Sequence, residues 1–302
     1  MRYFENVKYW QENGPIFFFL GGEGISTPMW TKSGVMHDLA QETKGAMYVT
    51  EHRYYGKSIP KNVTKGNKFK YLSSRQALAD LAKLIEFLKL LPMYKNSKVV
   101  VIGGSYAGNL AAWMKVLYPH LVDAAIASSA PVLAKKDFFE YLEKVTDDYE
   151  SYGTAGCSDK IKNIFDRLYK LLQSSDGIKQ LKIEENICDS CDMSVSENQE
   201  LFFEFKASEF MDNAQYGSTY SIKEDCDTLN DVNFDTKSLT DYYIYPYIYS
   251  EKQDCYDFDF KNVIQNMKRT DYFSLPWIYQ TCTEFGYFQT TIQRHRSLKT
   301  SH

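Results

Sequence analysis

The first 134 residues alternate between short apolar runs and longer segments in which apolar residues recur every three or four positions. Nearly continuous apolar runs are typical of strands buried in a parallel sheet, whereas three-four spacing is typical of amphipathic helices. The segment 73–92 shows the helical spacing most clearly and ends at Pro92. Regular alternation of strand and helix predicts an α/β fold with a parallel sheet covered by helices. The predicted strands lie in "GPIFFFLGGEG", "GAMYVTEHRYYGKS", "KVVVIGG" and "VDAAIASSAPV".

Between the first two strands, the segment 26–44 predicts one helix, with Ser26 or Thr27 as its N-cap and Pro28 in its first turn. After about Lys135 the pattern becomes charged and helical. We therefore predict three parts: a core at 1–134, a helical insertion at 135–274, and a return towards the core at 275–302.

The composition and charge of the chain argue against some classes of function. The chain has 302 residues and a formal net charge of -4, whereas a nucleic-acid-binding domain normally has a basic surplus. No apolar stretch approaches the roughly 18 residues that a membrane span needs. We therefore expect neither a nucleic-acid partner nor a membrane span, and we predict no cofactor and no metal.

Six cysteines lie at positions 157, 188, 191, 226, 255 and 282, and an even, clustered set favours disulfides in a secreted or lysosomal protein. Six reduced thiols are the alternative. The "CDSC" motif at 188–191 is a weak indication of zinc or redox chemistry, because no second such pair exists. One glycosylation sequon begins at Asn62. The N-terminus lacks the apolar segment of a signal peptide, which conflicts with a secretory route.

Ser105 is the strongest candidate for chemistry. It follows an apolar strand in "VVVIGGSYAG" and precedes a helical pattern, so it matches the G-x-S-x-G nucleophile elbow except that Ala107 replaces the last glycine. A glycine-rich turn of this kind binds phosphate in other α/β folds, but no P-loop lysine is present. The backbone amide of Tyr106 is the expected first oxyanion donor. The "GGEG" loop is expected to supply the second, through Gly22 or Glu23.

Five segments in order resemble the prolyl serine exopeptidase family: "GGEG", "YVTEHRYYGKSIP", "YLSSRQALADLA", "GGSYAGNLAAWMKVLYPHLVDAAIASSAPV" and "WIYQTCTEFGYFQTT". The resemblance implies an α/β-hydrolase core with an inserted helical, disulfide-stapled cap. It implies cleavage next to proline near a peptide terminus, with Ser105 as the nucleophile. It also implies a proline-containing peptide substrate, pairing of Cys157 with Cys226 and of Cys188 with Cys255, and a secreted or lysosomal location, and it is compatible with a homodimer.

A serine nucleophile needs a histidine base oriented by a carboxylate, and in α/β-hydrolases these follow the serine in the chain. His37, His52 and His120 are expected to be structural, His295 lies between two arginines, and His302 ends the chain. The family's strand and "G-x-x-D-P-W" motif before the histidine have no match here. The sequence therefore predicts a chain that is truncated at both ends, with an incomplete sheet and without the catalytic Asp and His. Two alternatives remain open: an inactive, peptide-binding pseudopeptidase, and another α/β-hydrolase such as an esterase.

Overall fold

The computed structural model describes residues 1–60, 68–231, 255–269 and 275–290. The chain divides into two compact units. The described residues of the first unit fall within Met1–Lys136 and Phe273–Gly286, and those of the second within Asp137–Tyr272 and Tyr287–His302.

A five-stranded sheet forms the centre of the first unit, in the order β1-β3-β2-β4-β5. The strands β2 to β5 are parallel to one another, and they include the four strands predicted from the apolar runs. The carboxyl ends of β2, β4 and β5 therefore lie at one edge, where ligand sites of open α/β sheets form. The strands are β1 (Tyr3–Asn6), β2 (Ile16–Phe19), β3 (Ala46–Thr50), β4 (Val99–Gly104) and β5 (Ala124–Ser128).

The predicted parallel sheet is extended at one edge by a strand that the apolar runs did not indicate, because β1 pairs antiparallel with β3. Its residues alternate between exposed and half-buried, as in a strand that faces solvent on one side. Since β1 and β2 run in opposite directions, the short connection at 7–15 is enough to join them, whereas parallel strands need a longer crossover.

The segment 26–44 also differs from its prediction, since it holds two short helices instead of one. Pro28–Thr31 forms a 3-10 turn, which the Thr27 side chain caps by accepting a hydrogen bond from the Met29 amide. A break at Gly34, with φ of +88°, separates this turn from the helix that follows. The helices of this part of the unit are α1 (Val35–Thr43), α2 (Ser74–Lys89) and α3 (Tyr106–Leu117), with a second 3-10 turn at Pro92–Tyr94.

In the second unit the described elements are helices around their own apolar core. They are α4 (Glu140–Tyr152), α5 (Cys157–Leu171), α6 (Ser175–Glu184), α7 (Ser196–Tyr216), α8 (Thr219–Asn230) and α9 (Phe260–Arg269). Disulfides join Cys157 to Cys226 and Cys188 to Cys255, which are the pairings implied by the family resemblance. Cys191 is a buried free thiol and Cys282 an exposed one.

The first unit is completed by α10 (Leu275–Gln280) and by a π-helical turn at Thr281–Phe285. The sequence predicts helix only weakly here, because the segment is aromatic-rich. Throughout the described ranges, every helix is too short or too polar to span a bilayer.

Candidate active site

Ser105 lies on a sharp turn between the end of β4 and the start of α3. Its φ of +54° is in the left-handed region, which a non-glycine residue adopts only where the surrounding structure imposes it. The Ser105 amide donates a hydrogen bond to the Ser128 carbonyl of β5, at 3.0 Å, and the Ser105 carbonyl accepts one from the Gly108 amide, at 2.8 Å. These bonds fix the backbone while the side chain stays exposed, which is the geometry of the nucleophile elbow in α/β-hydrolases.

Small residues around Ser105 allow this turn to form. A β-carbon on Gly103 would collide with the Ala107 carbonyl, and one on Gly108 would lie 2.8 Å from the Ser128 carbonyl oxygen. Ala107, which replaces the last glycine of the motif, is buried in the first turn of α3. The turn therefore forms with an alanine at this position.

The "GGEG" loop follows β2, the parallel neighbour of β4, and lies against the first turn of α3. A β-carbon on Gly22 would be 3.4 Å from the Ala107 nitrogen and 3.8 Å from the Tyr106 ring. The structure thus brings Gly22 and Tyr106, two of the predicted oxyanion residues, to the same place. Burial raises the pKa of the neighbouring Glu23 carboxyl, although a hydrogen bond to its own backbone opposes this shift.

Behind the turn, the hydroxyl of the buried Tyr106 side chain lies within hydrogen-bond distance of two polar side chains. Its hydroxyl lies 3.0 Å from Nε2 of His52 and 3.0 Å from Nε2 of Gln280. His52 is also buried, and its Nδ1 lies 2.7 Å from the Arg53 carbonyl oxygen. Burial lowers the pKa of His52 to about 4, so the ring is neutral at physiological pH. His52 therefore has the contacts expected of a structural histidine.

Gln280 and Glu284 extend this polar cluster, and the sequence reasoning missed both of them. Gln280 is fully buried, accepts a hydrogen bond from the Tyr55 hydroxyl at 2.7 Å, and donates one to Glu284 at 3.0 Å. Glu284 in turn accepts hydrogen bonds from the amide and hydroxyl of Ser74, at the N-terminus of α2, where the helix dipole favours a carboxylate. Their spacing of four residues in an otherwise aromatic segment was the available indication.

Two further charged residues of "TEHRYYG" are structural. Glu51 is buried; burial opposes its ionisation, but hydrogen bonds from Arg2, Ser58 and Ser26 outweigh this and hold its pKa below the usual value. Arg53 forms a bidentate ion pair with Asp80 of α2, at 2.7 and 2.8 Å. The motif therefore anchors the loop after β3.

No described histidine forms a hydrogen bond with Ser105. The Nε2 of His37 lies 3.1 Å from the Tyr9 hydroxyl, and the His120 ring contacts the Tyr118 ring. His295 and His302 lie outside the described residues, as does the glycosylation sequon at Asn62. Within the described ranges, no group of three or more histidine, cysteine, aspartate or glutamate side chains is arranged to hold a metal ion.

Known proteins align with this chain over most of its length. Lysosomal Pro-X carboxypeptidase of Mus musculus is 32% identical over 305 residues, which are 94% of this chain and 60% of that protein. Thymus-specific serine protease of Homo sapiens is 32% identical over 308 residues, 96% of this chain and 60% of that protein. The chain thus spans about 60% of the length of these relatives. Among solved structures, proline iminopeptidase of Mycobacterium smegmatis superposes with a TM-score of 0.40 at 12% identity, covering 72% of this chain and 67% of that one.

The family model described as serine carboxypeptidase S28 matches residues 1–301. This match confirms the resemblance inferred from the five sequence segments. The chain therefore belongs to the serine carboxypeptidase S28 family.

Proposed function

We propose that this protein is a serine exopeptidase that hydrolyses peptides next to a proline near a chain terminus, with Ser105 as its nucleophile. The observation that carries the proposal is the exposed Ser105 side chain on a positive-φ turn between β4 and α3, in a chain of a serine peptidase family. In the reaction, Ser105 Oγ attacks the carbonyl carbon and loses its proton to a general base, which passes that proton to the amine leaving group as the peptide C–N bond breaks. The acyl-enzyme ester that forms is then hydrolysed by water.

The oxyanion of the tetrahedral intermediate would be stabilised by the Tyr106 amide and by an amide of the loop at Gly22 or Glu23. The close packing of Gly22 against the first turn of α3 supports this assignment. A single donor of this kind typically contributes about 100- to 1,000-fold to the rate. The positive end of the α3 dipole adds to the stabilisation.

The relatives support the proposed substrate class and compartment. Proline-directed cleavage is proposed because the matched proteins include lysosomal Pro-X carboxypeptidases. The two disulfides support a secreted or lysosomal location. Homodimerisation stays a prediction from the family resemblance.

The test uses a fluorophosphonate probe, which reacts with activated serines, on protein purified from its natural source. We expect one adduct, on Ser105, that Ser105→Ala abolishes. Ser129→Ala is the matched control, because Ser129 is also exposed and also has a positive φ, of +48°, just after β5. Label that persists in Ser105→Ala, or that resides on Ser129, would refute the proposed nucleophile.

A peptide-binding pseudopeptidase is the second candidate, and one observation favours it: no described histidine is hydrogen-bonded to Ser105. It predicts that a proline-containing peptide binds while the probe leaves Ser105 unmodified. Hydrolysis of such a peptide, lost in Ser105→Ala, would exclude it. Turnover of simple esters without turnover of any peptide would favour an esterase instead.

A further inference from the structure

Gln280, at the end of α10, makes three side-chain hydrogen bonds, of which those to Tyr55 and Tyr106 are buried and that to Glu284 is partly buried. Its Nε2 lies 3.0 Å from the Tyr106 hydroxyl and 3.0 Å from Oε2 of Glu284, and its Oε1 accepts from the Tyr55 hydroxyl at 2.7 Å. All four residues belong to the first unit. A fully buried amide whose oxygen and nitrogen are both used has one fixed orientation.

The direction of each hydrogen bond can be followed through the cluster. Glu284 accepts from the Ser74 amide and hydroxyl, so the Gln280 amide nitrogen is the group that must face it. The same nitrogen donates its second hydrogen to the Tyr106 hydroxyl. Tyr106 is then left with its own proton to donate, and the neutral His52 ring accepts it at Nε2 because its Nδ1 donates to the Arg53 carbonyl.

Aromatic packing limits the remaining freedom of Tyr106. The Trp277 and Phe285 rings lie 5.4 and 5.3 Å from the Tyr106 ring, between centroids. Tyr106 has no exposed surface. Its side chain is therefore held by one hydrogen bond on each side of the hydroxyl and by rings around its body.

The backbone of the same residue follows the nucleophile directly. We propose that Gln280 is a positioning residue of the Ser105 turn: together with His52 it fixes the Tyr106 side chain, and thereby holds the Tyr106 amide in the orientation that the oxyanion requires. This inference rests on the proposed function for its catalytic meaning. Its structural part, the rigidity of the turn, can be measured without activity.

Two variants interrupt the cluster at different points. Tyr106→Phe removes only the hydroxyl and keeps the ring packing, whereas Gln280→Met replaces the amide with an apolar side chain of similar length. Tyr48→Phe is the matched control, because Tyr48 is equally buried and its hydroxyl lies 2.8 Å from Glu5 and 3.0 Å from the Tyr94 hydroxyl. Tyr94 precedes β4, whereas Ser105 directly follows it. The pair of Tyr48 and Tyr94 therefore lies towards the other end of β4 from Ser105.

Hydrogen–deuterium exchange of the amides at 103–110 gives the first readout. We expect exchange there to rise about 10-fold in Tyr106→Phe and in Gln280→Met, and to stay unchanged in Tyr48→Phe. The second readout is the kinetics of a peptide that the wild-type protein hydrolyses. In Tyr106→Phe and in Gln280→Met we expect kcat to fall about 10-fold while KM stays within about 2-fold of wild type, because the oxyanion forms only in the transition state.

The outcomes separate the two proposals. Unchanged exchange at 103–110 in Tyr106→Phe, or an equal increase in Tyr48→Phe, would overturn the positioning role. A rise in KM with kcat preserved would overturn it as well. If wild-type Ser105 does not react with the fluorophosphonate probe, the proposed function fails, while the exchange result still decides whether Gln280 and His52 hold the turn.

Discussion

Gly103 faces the carbonyl group of Ala107 so closely that there is no room for a β-carbon between them. The contact arises because the chain turns back on itself at Ser105 and begins α3 directly. The adjacent Gly104 differs, since a β-carbon there would meet no atom within 4 Å. The two glycines therefore make a matched pair for testing the turn.

We expect Gly103→Ala to displace the turn and to reduce the reactivity of Ser105 at least about 100-fold, with a stability loss of about 1–3 kcal/mol from overpacking. Gly104→Ala should keep wild-type reactivity within about 3-fold. Probe-labelling rates and urea unfolding measure both effects. An equal loss of Ser105 reactivity in Gly103→Ala and Gly104→Ala would contradict the packing argument.

The second prediction concerns acid stability of the first unit. The pKa of His52 falls from 6.5 to about 4 on folding because the ring is buried. Between these values the unfolded chain binds a proton that the folded unit does not, so stability decreases as pH falls from about 6.5 to 4, by roughly 3 kcal/mol. His52→Gln keeps an acceptor for Tyr106 but cannot titrate, and its stability should not show this decrease.

Tryptophan fluorescence monitors this transition selectively, because Trp10, Trp30, Trp113 and Trp277 all belong to the first unit. His37→Gln is the control, since it leaves the contacts of His52 intact and should retain the pH dependence. A variant His52→Gln that still loses stability between pH 6.5 and 4 would show that another group is responsible.

The third prediction concerns Glu209 of α7, which should give the stability of the second unit the opposite pH dependence. Its side chain is buried, and neither carboxyl oxygen has a hydrogen-bond partner among the described residues. Burial, with smaller contributions from Glu185 and Asp225 and an opposing one from Lys206, raises its pKa to about 8. The folded unit then binds a proton that the unfolded chain releases above about pH 4.5, so stability decreases as pH rises towards 8.

We expect Glu209→Gln to stabilise the second unit at pH 8 by roughly 3–5 kcal/mol and to have little effect at pH 4.5. Glu200→Gln, on the exposed face of the same helix, should have little effect at either pH. Urea unfolding followed by helical circular dichroism at both pH values makes the comparison. A gain in stability that is the same at both pH values in Glu209→Gln would exclude titration of Glu209 as the cause.

Lys206 and Glu185 form an ion pair at 2.8 Å in which both side chains are 1% exposed. Lys206→Met removes the positive charge that faces the buried Glu185 carboxylate and should cost about 3–5 kcal/mol, and adding Glu185→Gln should recover much of this loss. The exposed pair of Lys223 and Asp227, on α8, is the matched comparison, where Lys223→Met should cost less than about 1 kcal/mol. A double variant that is no more stable than Lys206→Met would show that the unbalanced charge is not the cause of the stability loss.

Much of the candidate site was predictable because it depends on residues that are close in the chain. A continuous apolar run, two glycines, a serine and a helical pattern are contiguous at 99–117, so local geometry alone places Ser105 on a turn. The cysteine pairings came with the family resemblance, whereas spacing alone leaves several pairings open.

The parts that sequence reasoning missed depend on contacts between distant segments. The hydrogen bond between Gln280 and Tyr106 joins residues 174 positions apart, and that between Glu284 and Ser74 joins residues 210 positions apart. No local periodicity encodes such a contact. The antiparallel direction of β1 was missed for a similar reason, since it is set by its pairing with β3.

By itself, the sequence determined the four parallel strands of the core, the turn that carries Ser105 and the family to which the chain belongs, because each depends on short-range patterns or on ordered motifs. Only the tertiary structure decided what surrounds that turn. Gln280, Tyr106 and His52 come from three separate segments, and the folded core makes them neighbours because each must satisfy its buried polar atoms away from water.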